Sequence, residues 1–556
     1  MEADHSRRPP FRGDLTRLDY TTVGLNKQPT QSDRFRVGVS YGYTKRSTFE
    51  RPFMKSPITI VALYCGCLLL LTPKLAAQTP TTIQVKLDPS VAKQSVSGRL
   101  YVFLSQRSSR PLNGPSWFGP EPFFSMEVRD WKPGDTVTVD DDALGLQGPI
   151  SQIVPGTYKV QALLDHDFYF ANHRDGPGNY FSKPVDFTFA SNSGGSQPSL
   201  QLVLDQVIQG ATYAETDFVK FVTIPSKLLG DFHGREVLER AMVVLPPSYY
   251  EDPDRRYPVY VQVTGFGATL AQLQNRWKNG QPKSPDDQTE FIKVYLTGQC
   301  KWGHHVYANS ATNGPRGDML VQELIPEIDK RFRTIAEPTA RFVGGHSSGG
   351  WSSLWLQVNY PKFFGGVWST APDPVDFRDW QGTNLYEPNA NVYFDAKGNK
   401  RPLARRGEQV LVDYKDFTQM DDVLGEGGQI RSFDAVFSPQ IEGGIPARLW
   451  DRESGLVNKD ILEYWKQYDI SRLLEQNWSE LEPDLKGKIH VYMGDIDTFY
   501  LEGATRLLGQ RLQGLGSDAV VEMFPGKDHM NLLDTKLRSR IQREMSQQFW
   551  KNHPPE

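Results

Sequence analysis

The chain has 556 residues, 38% of them hydrophobic and 12% aromatic, which is enough for more than one packed domain and inconsistent with a fibrous or wholly disordered protein. Its 62 Lys and Arg against 66 Asp and Glu leave a net charge of -4, so there is no basic excess to hold a nucleic acid. Of three cysteines, Cys65 and Cys67 fall in an apolar run expected to be removed, and Cys300 alone can build neither a disulfide framework nor a thiolate zinc site.

Residues 1–53 are polar, rich in Arg and Pro and without hydrophobic period. They are expected to be disordered, or a misassigned extension upstream of a true start at Met54. Residues 54–78 open on Met54-Lys55-Ser56-Pro57, run through an apolar stretch at 58–71 and leave by Ala76-Ala77-Gln78. That order matches a secretory signal peptide cleaved near Ala77, too short for a comfortable membrane span. A secreted or periplasmic protein with no stable span is expected; an uncleaved signal anchor with a basic cytoplasmic tail is the alternative.

From 80 to 205 the segments 82–87, 99–104, 136–139 and 157–162 alternate with period two and are separated by Gly, Pro and Asp clusters. An all-β, immunoglobulin-like sandwich domain is predicted. His166, Asp167, His173 and Asp175 fit no familiar metal-ligand spacing and read as a polar loop, and residues 191–199 read as a loop or linker.

A second domain is predicted over 215–550, where strands and helices alternate as in α/β proteins. The strand at 256–263 runs straight into Thr264-Gly265-Phe266-Gly267, and such a turn can aim a backbone N–H of Phe266 or Gly267 at a substrate oxygen. A strand at 291–296 precedes His304-His305, adjacent histidines read as pocket wall rather than metal ligands. A helix is predicted over 319–332. Then Gly345-His346-Ser347-Ser348-Gly349 follows a short apolar strand and precedes a helical segment at 351–360. As a bare pattern this GxSxG pentad is weak, but strand before and helix after are the setting of a nucleophile elbow. Gly345 and Gly349 would leave room for the tight turn, and Ser347 would stand at a helix N-terminus that favours negative charge.

The stretches RYPVYVQVTGFG, ELIPEIDKRFRT, GGHSSGG and LQVNYPKFFGGVWSTAPDPVDF, in that order, resemble the Putative esterase family of α/β-hydrolases, which includes enterochelin-esterase-like, feruloyl and acetylxylan esterases and S-formylglutathione hydrolases. The resemblance spans about 240–533 and implies an α/β-hydrolase fold with a mostly parallel sheet. It departs from the family in two places: Thr264 stands where many members carry histidine, and His346 and Ser348 flank the serine where leucine and methionine are commoner. Residues 379–486 exceed a minimal hydrolase and are expected to form a cap that carries specificity.

Acyl transfer by serine needs a base and an acid that orients it, in the chain order Ser, Asp or Glu, His. Asp495 and Asp497 both follow the strand at 488–494; the family's acid lies two residues before an aromatic, which implies Asp497, with Asp373 and Asp376 as outside candidates. His529 follows the last strand, and the only later histidine is His553 in the terminal tail. Asp528 is expected to point elsewhere. The resulting expectation is a catalytic set of Ser347, Asp497 and His529, with an oxyanion hole from Ser348 and Phe266 or Gly267, needing no metal or cofactor. The substrate would be a small-molecule, siderophore or carbohydrate-linked ester. Because an elbow does not choose the acyl acceptor, acyltransferase or peptidase chemistry is the alternative enzyme reading. A non-catalytic glycan- or protein-binding member is a third, opposed by the intact Ser347, Asp497 and His529.

Overall fold

The computed structural model describes residues 82–167, 169–190 and 199–554. The expected extension and signal segment, and most of the 191–199 linker, lie outside them. Ala76–Glu556 forms one compact unit.

Its N-terminal part is a β-rich region of nine strands: β1 (Ile83–Leu87), β2 (Val96–Ser105), β3 (Phe123–Trp131), β4 (Thr136–Val139), β5 (Leu144–Gly145), β6 (Gly156–Asp165), β7 (Tyr180–Ser182), β8 (Val185–Phe189) and β9 (Leu200–Val207). They hydrogen-bond in the order β4-β1-β9-β7-β6-β2-β3-β5, with β8 on β6. Period two in β1 does what such a pattern should, burying Ile83, Val85 and Leu87. β2 behaves differently. Leu100, Val102 and Leu104 enter the core of this region, while Tyr101 and Phe103, on the other face, join the main core of the chain. Both registers of β2 are apolar, so both faces are buried.

The second sheet consists of β10 (Val219–Pro225), β11 (Leu238–Val244), β12 (Val259–Val263), β13 (Ile292–Leu296), β14 (Arg341–His346), β15 (Gly366–Thr370), β16 (Ile489–Gly494) and β17 (Val520–Phe524). Their order is β10-β11-β13-β12-β14-β15-β16-β17. The sheet is mixed: β10 pairs antiparallel with β11 and β11 with β13, and the remaining neighbours pair in parallel. Swapping the third and fourth strands is the α/β-hydrolase-like order. Every residue of β15 is buried, and helix α1 (Ser348–Asn359) is buried from Ser348 to Val358. Buried serines on both are satisfied from within, Ser352 Oγ donating to Ser348 O and Ser369 Oγ to Gly350 O, so both elements can sit in the middle of the molecule.

The helix predicted over 319–332 spans Arg316–Met319, a π-helical stretch Leu320–Leu324, and Ile325–Arg331. Pro326 has no N–H to give the ladder, and the turn ahead of it widens.

Residues 379–486 hold a two-stranded hairpin (Pro402–Arg406 with Gln409–Asp413) and, among others, helices α2 (Tyr414–Leu424) and α3 (Gln429–Phe437). They cover α1, with Trp351 against Phe437 at 5.1 Å and Trp355 against Tyr468 at 5.5 Å between ring centroids. The N-terminal region holds the end of α2. Arg99 Nη2 donates to Val423 O at 3.0 Å, Ser125 Oγ to the same oxygen at 2.6 Å, and Tyr101 Oη to Leu424 O at 2.5 Å. These donors satisfy carbonyls that a helix end leaves without partners. Among the described residues, no helix is long and apolar enough to cross a membrane.

Candidate active site

Ser347 lies between β14 and α1 with φ +62° and ψ -129°, a conformation rare and strained for a residue with a side chain. Hydrogen bonds on both sides hold it there: its N–H donates to Thr370 O at 3.1 Å, and Trp351 N–H donates to Ser347 O at 3.0 Å. The neighbouring glycines are required by contact. A Cβ on Gly345 would lie 2.1 Å from Gly349 O, and one on Gly349 would lie 2.1 Å from Val263 O. The turn is therefore pressed against the end of β12, and a Cβ on Gly265 would come within 3.3 Å of Ser347 Cβ.

His529, on the loop after β17, places Nδ1 2.8 Å from Asp497 Oδ2, and both side chains are buried. Phe499 N–H donates to the other Asp497 oxygen at 2.8 Å. Burial works against protonating His529, yet the Asp497 charge and hydrogen bond outweigh it, and the imidazole is held above its ordinary value.

The other carboxylates are occupied elsewhere. Asp495 accepts from Gly526 N–H at 2.7 Å and ties the two loops together. Asp376 binds Arg378, and Asp528 accepts from Met530 and Asn531 N–H within its own turn. Asp373, an outside candidate for the acid, is the exception, and it pairs with Ser348 rather than with His529. It lines the same cavity as Ser347 and His529 and accepts from Ser348 Oγ at 2.6 Å, and burial pushes its carboxyl up to about 6.

His346 reaches across to the histidine loop. Its Nε2 is 3.0 Å from His529 O and its Nδ1 3.1 Å from Thr370 Oγ1, with the two imidazole rings 4.7 Å apart. A carbonyl only accepts, so Nε2 carries the proton. Burial pushes this ring down to about 3, which keeps it neutral.

Ser347, His346, Asp373 and His529 open on a cavity of about 610 Å³. Of the two residues considered at the oxyanion turn, Phe266 lines it, whereas Gly267 (φ +76°) faces open space. The roof is aromatic. Trp117, from the loop between β2 and β3, lies 5.3 Å from Phe417 of α2, 5.8 Å from Phe266 and 6.1 Å from Phe499. Phe118 and Phe433 complete it, and Phe499 meets His529 edge-on at 4.9 Å. The sequence signal for Trp117 and Phe118 is an aromatic pair in a loop dense in Gly and Pro.

His166, His173, His304 and His305 are held by backbone. His304 Nε2 is 3.0 Å from Thr264 O, and His304 and His305 Nδ1 accept from Val306 and Tyr307 N–H at 3.0 Å and 3.2 Å. His173 stacks on Phe103 at 5.0 Å and reaches Leu112 O, and His166 reaches Gly178 O. Among the described residues, no group of three His, Cys, Asp or Glu is placed to hold a metal.

Strand order and a strained serine between strand and helix place the molecule among α/β-hydrolase-like proteins. Residues 238–515 match the Putative esterase family, and the chain belongs to that family and is an esterase. The match includes Ser347 and Asp497 and stops before His529. Solved structures similar to the chain include a ferulic acid esterase, 15% identical, covering 60% of this chain and 100% of its own, with a TM-score of 0.36. An S-formylglutathione hydrolase from Agrobacterium tumefaciens is 14% identical over 61% of this chain and 97% of its own, TM-score 0.35. The fluorophosphonate-binding serine hydrolase F of Staphylococcus aureus is 13% identical over 60% and 98%, TM-score 0.33. No curated protein matches the chain in sequence.

Proposed function

We propose that this esterase is a secreted serine hydrolase that cleaves carboxylic esters through an acyl-enzyme formed on Ser347. The observation that carries the reading is that His529, paired with buried Asp497 at 2.8 Å, lines the same cavity as the strained Ser347. Donation from Nδ1 to the carboxylate leaves the Nε2 lone pair of neutral His529 as the base. His529 takes the Ser347 hydroxyl proton as Oγ attacks the ester carbonyl, and the N–H groups of Ser348 and Phe266 receive the oxyanion. Collapse expels the alcohol, which leaves with the proton from His529. Water then attacks the acyl-enzyme with the same base, releasing the acid and restoring Ser347. These steps are complete with the side chains named.

On this reading residues 215–550 are the catalytic domain, 379–486 its cap and 80–205 an accessory domain that lends the cavity Trp117. The aromatic roof suits a small-molecule or carbohydrate-linked ester with a flat aromatic group, because ring-on-ring contact rewards such a group beyond its area. Secretion rests on the segment at 54–78.

Intact-mass spectrometry with a fluorophosphonate probe tests the nucleophile. One probe-sized mass gain is expected on wild type and none on Ser347→Ala, together with loss of p-nitrophenyl acetate turnover. A folded wild type that takes no probe, or a labelled Ser347→Ala, overturns the proposal.

A further inference from the structure

A second cavity, also about 610 Å³, shares no lining residue with the catalytic one. Three parts of the chain close it: the N-terminal region with Tyr169 and Pro177, the catalytic region with Arg240 and Arg316, and the cap with Glu426 and Ile445.

Two features set this space apart from a packing gap. Thr312 and Asn313 are among its lining residues, only 5% and 3% exposed, and Thr312 Oγ1 and Asn313 Nδ2 are buried without any hydrogen-bond partner. The Asn313 backbone is held from both sides. Its carbonyl accepts from Arg316 Nε at 3.1 Å, its N–H donates to Ser310 Oγ at 3.0 Å, and Cys300 Sγ lies 3.6 Å from its Oδ1. A buried donor left without an acceptor is destabilising, and a ligand oxygen would relieve that. The second feature is charge. Four cationic side chains, Arg235, Arg240, Lys301 and Arg316, face two carboxylates, Glu239 and Glu426, a formal excess of two positive charges in a chain whose net charge is -4. Arg316 pairs with Glu239 and Lys301 with Glu426 at 2.8 Å. Arg240 donates from Nε to Thr223 Oγ1 at 2.9 Å and lies 4.6 Å over the Tyr213 ring. Tyr213, Trp302 and Tyr307 supply apolar wall around these groups.

We propose that this cavity binds an organic anion, a carboxylate or phosphate carried on an aromatic or apolar body, with its charge against Arg240 and its oxygens on Thr312 and Asn313. Hydrogen bonds to a charged group are the stronger kind, and a site between three parts of one chain is where small ligands are commonly held.

Isothermal titration of the purified protein with sodium benzoate, phenyl phosphate, benzyl alcohol and inorganic phosphate tests it. Benzoate or phenyl phosphate is expected to bind saturably at one site, the tighter of the two naming the head group. Benzyl alcohol and inorganic phosphate should bind at least about ten-fold more weakly, since each lacks one half of the recognition. Arg240→Met should weaken the organic anion by about ten-fold or more, and the near-isosteric Thr312→Val, which keeps the test open if Arg240→Met fails to fold, by about five-fold. Trp117→Ala, in the catalytic cavity, should leave that affinity unchanged. Absence of saturable binding to folded wild type overturns the proposal. So does benzyl alcohol binding as tightly as benzoate, or affinity that survives Arg240→Met and Thr312→Val but falls in Trp117→Ala.

Discussion

The floor of the catalytic cavity is backbone and polar side chains at strand ends, each tied by hydrogen bonds of about 3 Å or less, whereas its roof is aromatic rings brought in by the β2–β3 loop and α2. The floor has little slack: a single Cβ on Gly345 or Gly349 would collide with backbone. The roof is held by ring contacts between segments far apart in sequence, which tolerate change more easily. On the proposed function, chemistry sits on the rigid half and selection on the adaptable half, and the two can vary independently.

That contrast can be broken or sharpened by substitution. The largest effect short of removing Ser347 is expected from Asp497→Asn, which should lower kcat by about 10³–10⁴-fold by freeing the His529 tautomer. Its pH profile gives a second reading. Only neutral His529 accepts a proton, so wild-type kcat/KM should rise with pH through a midpoint above the ordinary imidazole value of 6.5; with the carboxylate gone, that midpoint should move down. His346→Leu should come next, lowering kcat by about ten-fold with little change in KM, because the His529 loop loses a donor at its carbonyl. His346→Gln, which can still donate there, should recover part of the rate; equal loss in both would mean packing alone.

Changes to the roof should show in KM. Trp117→Ala is expected to raise KM for aryl esters by about ten-fold while vinyl acetate turnover changes less than about two-fold. A uniform loss across both would erase the division between floor and roof. The smallest effect belongs to Tyr101→Phe, which strips the Leu424 carbonyl of its donor. Thermal or denaturant unfolding should show a loss of about 1 kcal/mol, with activity kept.

Much of this architecture was legible because it is local. The period-two segments at 82–87 and 136–139 and the glycines around Ser347 obey constraints that act over a few residues, and strands β1, β4 and β14 fall where those constraints put them. Asp495 and Asp497 could be separated only by family resemblance, since both follow the same strand; the structure distinguishes them by loop direction, one toward Gly526 and one toward His529. The π-helical stretch before Pro326 and the burial of both faces of β2 were not legible. The first depends on how the surroundings accommodate a missing N–H, the second on what lies across from Tyr101 and Phe103.

By itself, the sequence determined the strand-turn-helix setting of Ser347, the chain order of Ser347, Asp497 and His529, and the alternation that separates a β-rich start from an α/β remainder, since sterics and periodicity act between near neighbours. Tertiary structure alone decided that Asp373 lies under Ser348, that His346 grips the His529 loop, that Trp117 roofs the cavity, and that Arg240, Thr312 and Asn313 share a second one. These are contacts between segments tens to hundreds of residues apart, and only the closing of the core brings them together.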